Sequence, residues 1–104
     1  MRKPKILVTG SRRVSEDDAS FVTAILALMD PGEIVEGGAT GVDSVARRWA
    51  KENQIPVHTH PADWDRYGRS AGSIRNWEML DSHPDIDFVA AFPRKSSRGT
   101  KHMI

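Results

Sequence analysis

Three short segments of this chain set glycine beside hydroxyl and cationic side chains: Gly10-Ser11-Arg12, Gly37-Gly38-Ala39-Thr40-Gly41-Val42-Asp43, and Ser97-Arg98-Gly99-Thr100. A backbone without Cβ atoms lets a ligand approach closely, and the free N–H groups of a helix start favour an anion. A guanidinium holds two phosphate oxygens at once, so Arg12, directly after a Gly-Ser turn, is favoured over Arg13 as a phosphate clamp. Phosphate binding is therefore the leading chemistry. The plainer alternative is that the glycines only make tight turns, with Thr40 and Asp43 forming a capping box at a helix start. A carboxylate repels an anion. Asp43 accordingly suits a ribose hydroxyl, a magnesium-bridged phosphate, or simple capping.

Further along, Arg75, Asn76 and Glu78 lie close together on a helical segment. Arg75 and Glu78 share a face at that spacing and can simply pair. In a functional reading Arg75 meets phosphate or ribose, and Glu78 acts as a base or ribose acceptor. With Asp43 and Glu36, Glu78 completes the acids near the expected crevice. Trp64 or Tyr67 could stack on a base, or fold back onto the core. His58 and His60 would share a strand face. No third ligand is evident from the sequence, so no metal site is expected. No cofactor is expected either, although Mg2+ could accompany a bound nucleotide.

The elements that must hold these residues alternate. Ile6-Leu7-Val8 is a contiguous apolar run and reads as a buried strand over 5–9. Ser15 and Asp18 form a capping box, after which Phe21, Ile25, Leu28 and Met29 fall on one helical face up to Pro31-Gly32. A strand at 33–36 precedes a helix at 41–53 with Val42, Val45, Ala46 and Trp49 inward. Ile55 to His58 opens a third strand, and 61–70 reads as a loop. A helix at 72–82 carries Ile74, Trp77 and Leu80 inward, and Asp87 to Phe92 forms a fourth strand. Strands alternating with helices imply an α/β fold: a three-layer Rossmann-like sandwich on a parallel sheet, of order 3-2-1-4. Its crevice is expected between strands 1 and 4, outside their carboxyl ends.

At 104 residues the chain reads as a single domain, 1–104. The net charge of +1 provides no global field toward nucleic acid or anionic membrane. The absence of cysteine removes disulfides and thiolate chemistry. With no signal pattern or long apolar run, a cytoplasmic location is expected, and no membrane partner.

Taken in order, Thr9-Gly10-Ser11-Arg12, Gly37 to Asp43, Pro61-Ala62-Asp63-Trp64, Gly72-Ser73-Ile74-Arg75-Asn76 and Gly99-Thr100 resemble the YspA-type branch of the SLOG superfamily. That superfamily takes its name from the DNA-processing protein DprA (Smf) and the LOG enzymes. Its YspA-type branch is a domain of unknown function from bacteria and phages. The resemblance runs from about residue 5 to 104. It implies a Rossmann-like fold that binds a nucleotide or nucleotide-derived ligand, without settling an activity. LOG phosphoribohydrolases carry a Pro-Gly-Gly-x-Gly-Thr loop followed by a glutamate. Here the loop is Pro93 to Thr100, and Met103 stands at the glutamate position; only Gly99-Thr100 and the upstream Arg75 carry over. The superfamily domain usually continues through another helix and strand, so the fold is expected to be C-terminally short.

Three functions follow as expectations. The first is binding of a nucleoside monophosphate or ADP-ribose-like molecule through Gly10, Ser11, Arg12, Gly37, Gly38, Thr40, Gly41, Asp43, Asn76, Ser97, Arg98, Gly99 and Thr100. The second is hydrolysis of a nucleotide N-glycosidic bond, with Arg75 and Glu78 as the catalytic pair. The third is single-stranded DNA binding by Arg94, Lys95, Arg98 and Lys101, disfavoured by the near-neutral charge. A homodimer or higher assembly, with the surface near the fourth strand and the 93–104 tail at or beside its interface, is expected to cover open edges, the competing outcome being a monomer whose tail folds back over that edge as a short helix.

Overall fold

The computed structural model describes residues 2–93. Strand β1 (Lys5–Gly10) is followed by helix α1 (Glu16–Met29), β2 (Glu33–Glu36), α2 (Val42–Glu52) and β3 (Val57–Thr59). A short helix α3 (Trp64–Tyr67), a 3-10 turn (Gly68–Ser70), α4 (Ala71–Ser82) and β4 (Phe88–Phe92) complete it. The strands form one parallel sheet of order β3-β2-β1-β4. The α/β Rossmann-like expectation and its strand order both hold.

The sheet places its two faces against different cores. Ile6, Val8 and Ile34 point to one side, where Val22 and Leu26 of α1 and Val42, Ala46 and Ala50 of α2 bury against them. Leu7 and Val35 point to the other side and meet Met79 of α4, with Ile86 packed alongside. The first face is thick and apolar. The second is thin, and much of it is polar.

Local chemistry sets the element ends. Ser15 Oγ accepts from the Asp18 amide at 3.1 Å while Asp18 Oδ2 accepts from the Ser15 amide at 3.2 Å, the reciprocal capping box. Helix α1 stops at Asp30, whose backbone turns left-handed (φ 49°) as its amide closes on the Leu26 carbonyl.

Several expectations are corrected. On α1 the buried stripe is Val22 and Leu26, with Ile25 and Met29 beside it, whereas Phe21 and Leu28 are 60% and 82% exposed. The helix carries apolar residues around most of its circumference, so periodicity alone left the phase one residue off. On α4, Ala71 and Met79 are buried and Ile74 half-buried, while Trp77 and Leu80 face solvent. The segment 61–70 is not a plain loop. Asp63 Oδ1 accepts from the Arg66 amide at 3.2 Å and caps α3. Strand β4 would be covered on both faces and paired on both edges only in a complete fold, and in the C-terminally short fold expected here one edge or face stays open. Phe88 and Val89 are indeed 56% and 57% exposed, and β1 is the strand's neighbour in the described sheet.

Candidate functional site

At the carboxyl end of the sheet the turns after β1 and β2 are fastened together by their backbones. The Val42 amide donates to the Ser11 carbonyl at 2.9 Å, and Thr40 Oγ1 donates to the Arg12 carbonyl at 3.1 Å. Gly41 makes this approach feasible. Its φ is +73°, and a Cβ there would run into the backbone of Ser11 and Arg12. Ser11 also closes its own turn, accepting from the Arg13 amide at 3.1 Å and donating to the Arg13 carbonyl at 2.9 Å. At the switch point the ends of β1 and β4 are bonded to each other. The Ser11 amide donates to the Phe92 carbonyl at 3.0 Å, and Gly10 leaves no room for a Cβ against that carbonyl.

The glycine loop after β2 is tied down from behind by two buried carboxylates. Asp43 Oδ2 accepts from the amides of Gly37 and Ala39, both at 3.2 Å. Its other oxygen, Oδ1, is buried with no hydrogen-bond partner among the described residues. Fully buried Glu36 accepts from the Gly38 amide at 2.7 Å and from Arg47 Nη1 at 3.2 Å, and receives the Thr59 hydroxyl. The amides of residues 37–39 are thus turned toward internal acids. The loop is a rigid floor, and cationic side chains rather than these amides are left to meet an anion.

Above that floor lies an open cleft of about 310 Å³. Gly37 to Thr40 form its base, with Pro61, Ala62 and Trp64 on one wall and Arg12 and Arg75 at the rim. The Arg12 guanidinium lies 4.9 Å from the Trp64 ring centroid, a cation–π stack across the cleft mouth. Arg75 reaches from α4, donates to the Gly37 carbonyl and, at 2.7 Å, to Asn76 Oδ1. The guanidinium occupies the space that a Cβ at Gly37 would take, so a side chain there would displace Arg75.

The expected site residues therefore separate into groups. Arg12, Gly37, Gly38, Thr40 and Arg75 line the cleft. Gly10, Ser11, Gly41 and Asp43 build the turns behind it. Asn76 braces Arg75 from the exposed side. Glu78 is exposed on α4, outside the cleft lining, and forms no ion pair with Arg75 among the described residues. Ser97, Arg98, Gly99 and Thr100 lie outside the described residues, as do Arg94, Lys95, Lys101 and Met103. The cleft opens over β1, β2 and β3, set to one side of the expected β1–β4 crevice.

Sequence reasoning missed the seat of the histidines. His60 and His83 face each other with their Nε2 atoms 2.8 Å apart, and His58 Nε2 lies 3.0 Å from Glu33 Oε1. The shared face of His58 and His60 was legible; the arrival of His83 from the end of α4 was not. Among the described residues no group of three or more His, Asp or Glu side chains is arranged to hold a metal ion. Nor is any described helix long and apolar enough to cross a membrane.

No solved structure matches the chain significantly. The Gene 61 protein of Mycobacterium phage D29 is 35% identical over 107 aligned positions, spanning 94% of this chain and 83% of that protein. The family model described as "YspA, cpYpsA-related SLOG family" matches residues 4–67, the stretch from β1 through α3 that supplies the turns, the glycine floor and Trp64. This chain belongs to that family.

Proposed function

We propose that the cleft binds a nucleotide or nucleotide-derived ligand, a nucleoside monophosphate or an ADP-ribose-like molecule. One observation carries the reading: Arg12 and Arg75, from different elements, converge with Trp64 on a glycine floor in a single cleft. Two guanidiniums suit phosphate oxygens, and an exposed indole suits a base. Family membership points to a nucleotide-related ligand in the same direction. Magnesium would enter only with such a ligand's phosphates.

Binding is favoured over N-glycosidic hydrolysis because no carboxylate lines the cleft among the described residues. Hydrolysis needs an acid near the ribose or the attacking water. Incubation with a panel of nucleoside monophosphates, read by chromatography for free base, should show little or no release. Robust turnover lost in Glu78→Gln would instead establish the hydrolase.

Calorimetry with the same panel tests the binding itself. Arg12→Ala should weaken binding while leaving the fold intact by circular dichroism, and Gly38→Val, which also strains a backbone at φ +72°, should weaken it too. If both leave it unchanged, the cleft is not the site. Self-association belongs to the same proposal, with a second copy of the chain at the β4 edge.

A further inference from the structure

We propose that the contact between His60 and His83 is a pH-sensitive latch that holds α4, and with it Arg75, against the sheet. The latch itself rests on the fold alone; its effect on a ligand rests on the nucleotide-binding reading above.

Helix α4 has little else to hold it. Its apolar seat on the sheet is Met79 on Leu7 and Val35, with Ile86 from the following loop, while Ala71 is buried in its first turn and Ile74 is half-buried. Its remaining tethers are polar: Arg75 to the Gly37 carbonyl near one end, and His83 to His60 at the other. His83 is the residue that ends α4, and its own amide closes on the Met79 carbonyl at 3.1 Å. A shift of His83 away from β3 therefore moves the helix terminus.

The hydrogen bond requires two different protonation patterns. With Nε2 atoms 2.8 Å apart, one ring must carry a proton on Nε2 and the other must present a bare nitrogen. When both rings are imidazolium, two N–H groups point at each other and two positive charges meet. The surroundings amplify this. His83 faces His58 from β3, His60 just after it, Lys5 from β1, and Asp85 from the loop after α4. Asp85 is engaged by Lys5 Nζ at 3.0 Å, and Glu33 at the start of β2 is engaged by His58. Burial, then Lys5 and the neighbouring His60 and His58 rings, hold His83 below the ordinary imidazole range, with Asp85 opposing.

The sign follows from that direction. The latched state binds a proton at His83 less readily than the released state does. Latching is complete above the ordinary imidazole value of about 6.5 and is lost as pH falls through the lower value in the fold. Acidification then frees α4 while the thick core on the opposite face, with α1 and α2, stays in place. Arg75 would leave the cleft rim with its helix.

Amide hydrogen exchange at about pH 7.5 and about pH 5, corrected for the intrinsic rate and run with a chelator present, tests this on the intact chain. The α4 amides should lose about tenfold or more in protection at the lower pH, with α2 amides as the unchanged internal reference. His83→Gln offers an amide that can donate or accept but does not titrate, and should abolish the step; His60→Gln serves equally if that variant fails to fold. Equal loss in α2 and α4, no loss in α4, or a step that survives both substitutions would each overturn the latch. AMP titrated at the same two pH values should bind more weakly at the lower one. Absence of AMP binding at both would count against the nucleotide reading, while the exchange result decides the latch.

Discussion

At the scale of single residues, Asp43 separates a structural role from a ligand-binding one. Its Oδ2 satisfies two amides of the glycine loop, so Asp43→Ala would orphan both in a buried setting. A loss of about 2 kcal/mol of stability is expected from unpaired buried donors. Asp43→Asn keeps an acceptor oxygen for those amides and should recover most of that loss. Chemical denaturation measures both. An Asp43→Ala protein of unchanged stability that no longer binds nucleotide would make Asp43 a ligand group instead. Arg12 makes the opposite case. It is an exposed stacking residue, so Arg12→Ala should change stability by less than about 1 kcal/mol while weakening nucleotide affinity about tenfold or more. A normal affinity in calorimetry would remove it from the site. These two residues were visible in the sequence as neighbours of glycine turns. Their division into brace and contact was not, because it depends on which amides each side chain reaches in three dimensions.

At the scale of elements, what was legible depended on how one-sided each pattern was. The strands β1 and β2 are contiguous β-branched and leucine runs between turn residues, and α2 buries Val42 and Ala46 with Val45 and Trp49 packed beside them, so these elements read correctly. Helix α1 offers two apolar stripes, Phe21-Leu28 and Val22-Leu26, and only the sheet decides between them. Helix α4 misleads in the same way, because its inward seat is narrow and its large residues Trp77 and Leu80 lie outside it. The glycine loops were readable as turns. The burial of Glu36 behind one of them was not, since its partners Thr59 and Arg47 come from separate elements. The caps give element-scale predictions. Ser15→Ala removes the reciprocal capping pair of α1 and should cost about 1 kcal/mol in denaturant titrations. Gly41→Ala should cost more than about 2 kcal/mol, because left-handed backbone and collision with the Ser11–Arg12 backbone add together. A Gly41→Ala protein as stable as the parent would show that the two turns can separate without loss.

At the scale of the whole molecule, β4 is an open edge of the described sheet. β1 occupies one side of it, and its other edge has no strand partner among the described residues. The strand reads Phe88-Val89-Ala90-Ala91-Phe92 and carries no charge to guard that edge. Phe88, Ala90 and Phe92 share the face of α1, where the Phe92 and Phe21 rings meet edge to face with centroids 6.2 Å apart. Val89 and Ala91 share the opposite face. The residue pattern is close to a palindrome about Ala90. Antiparallel pairing across a two-fold axis there would set Phe88 against Phe92 of the partner subunit, and Val89 against Ala91 of the partner subunit. Such an isologous pairing would extend the sheet, satisfy the open backbone edge and set the exposed apolar side chains beside one another as cross-strand pairs. The proposed homodimer therefore predicts a mass, by light scattering, that rises from one chain toward two between low and high micromolar concentration. Val89→Lys places a charge on that edge and should return the protein to a single-chain mass with its circular dichroism unchanged. A single-chain mass for the parent protein throughout that range would exclude self-association at β4, and the exposed strand would then have to be covered by something other than a second copy.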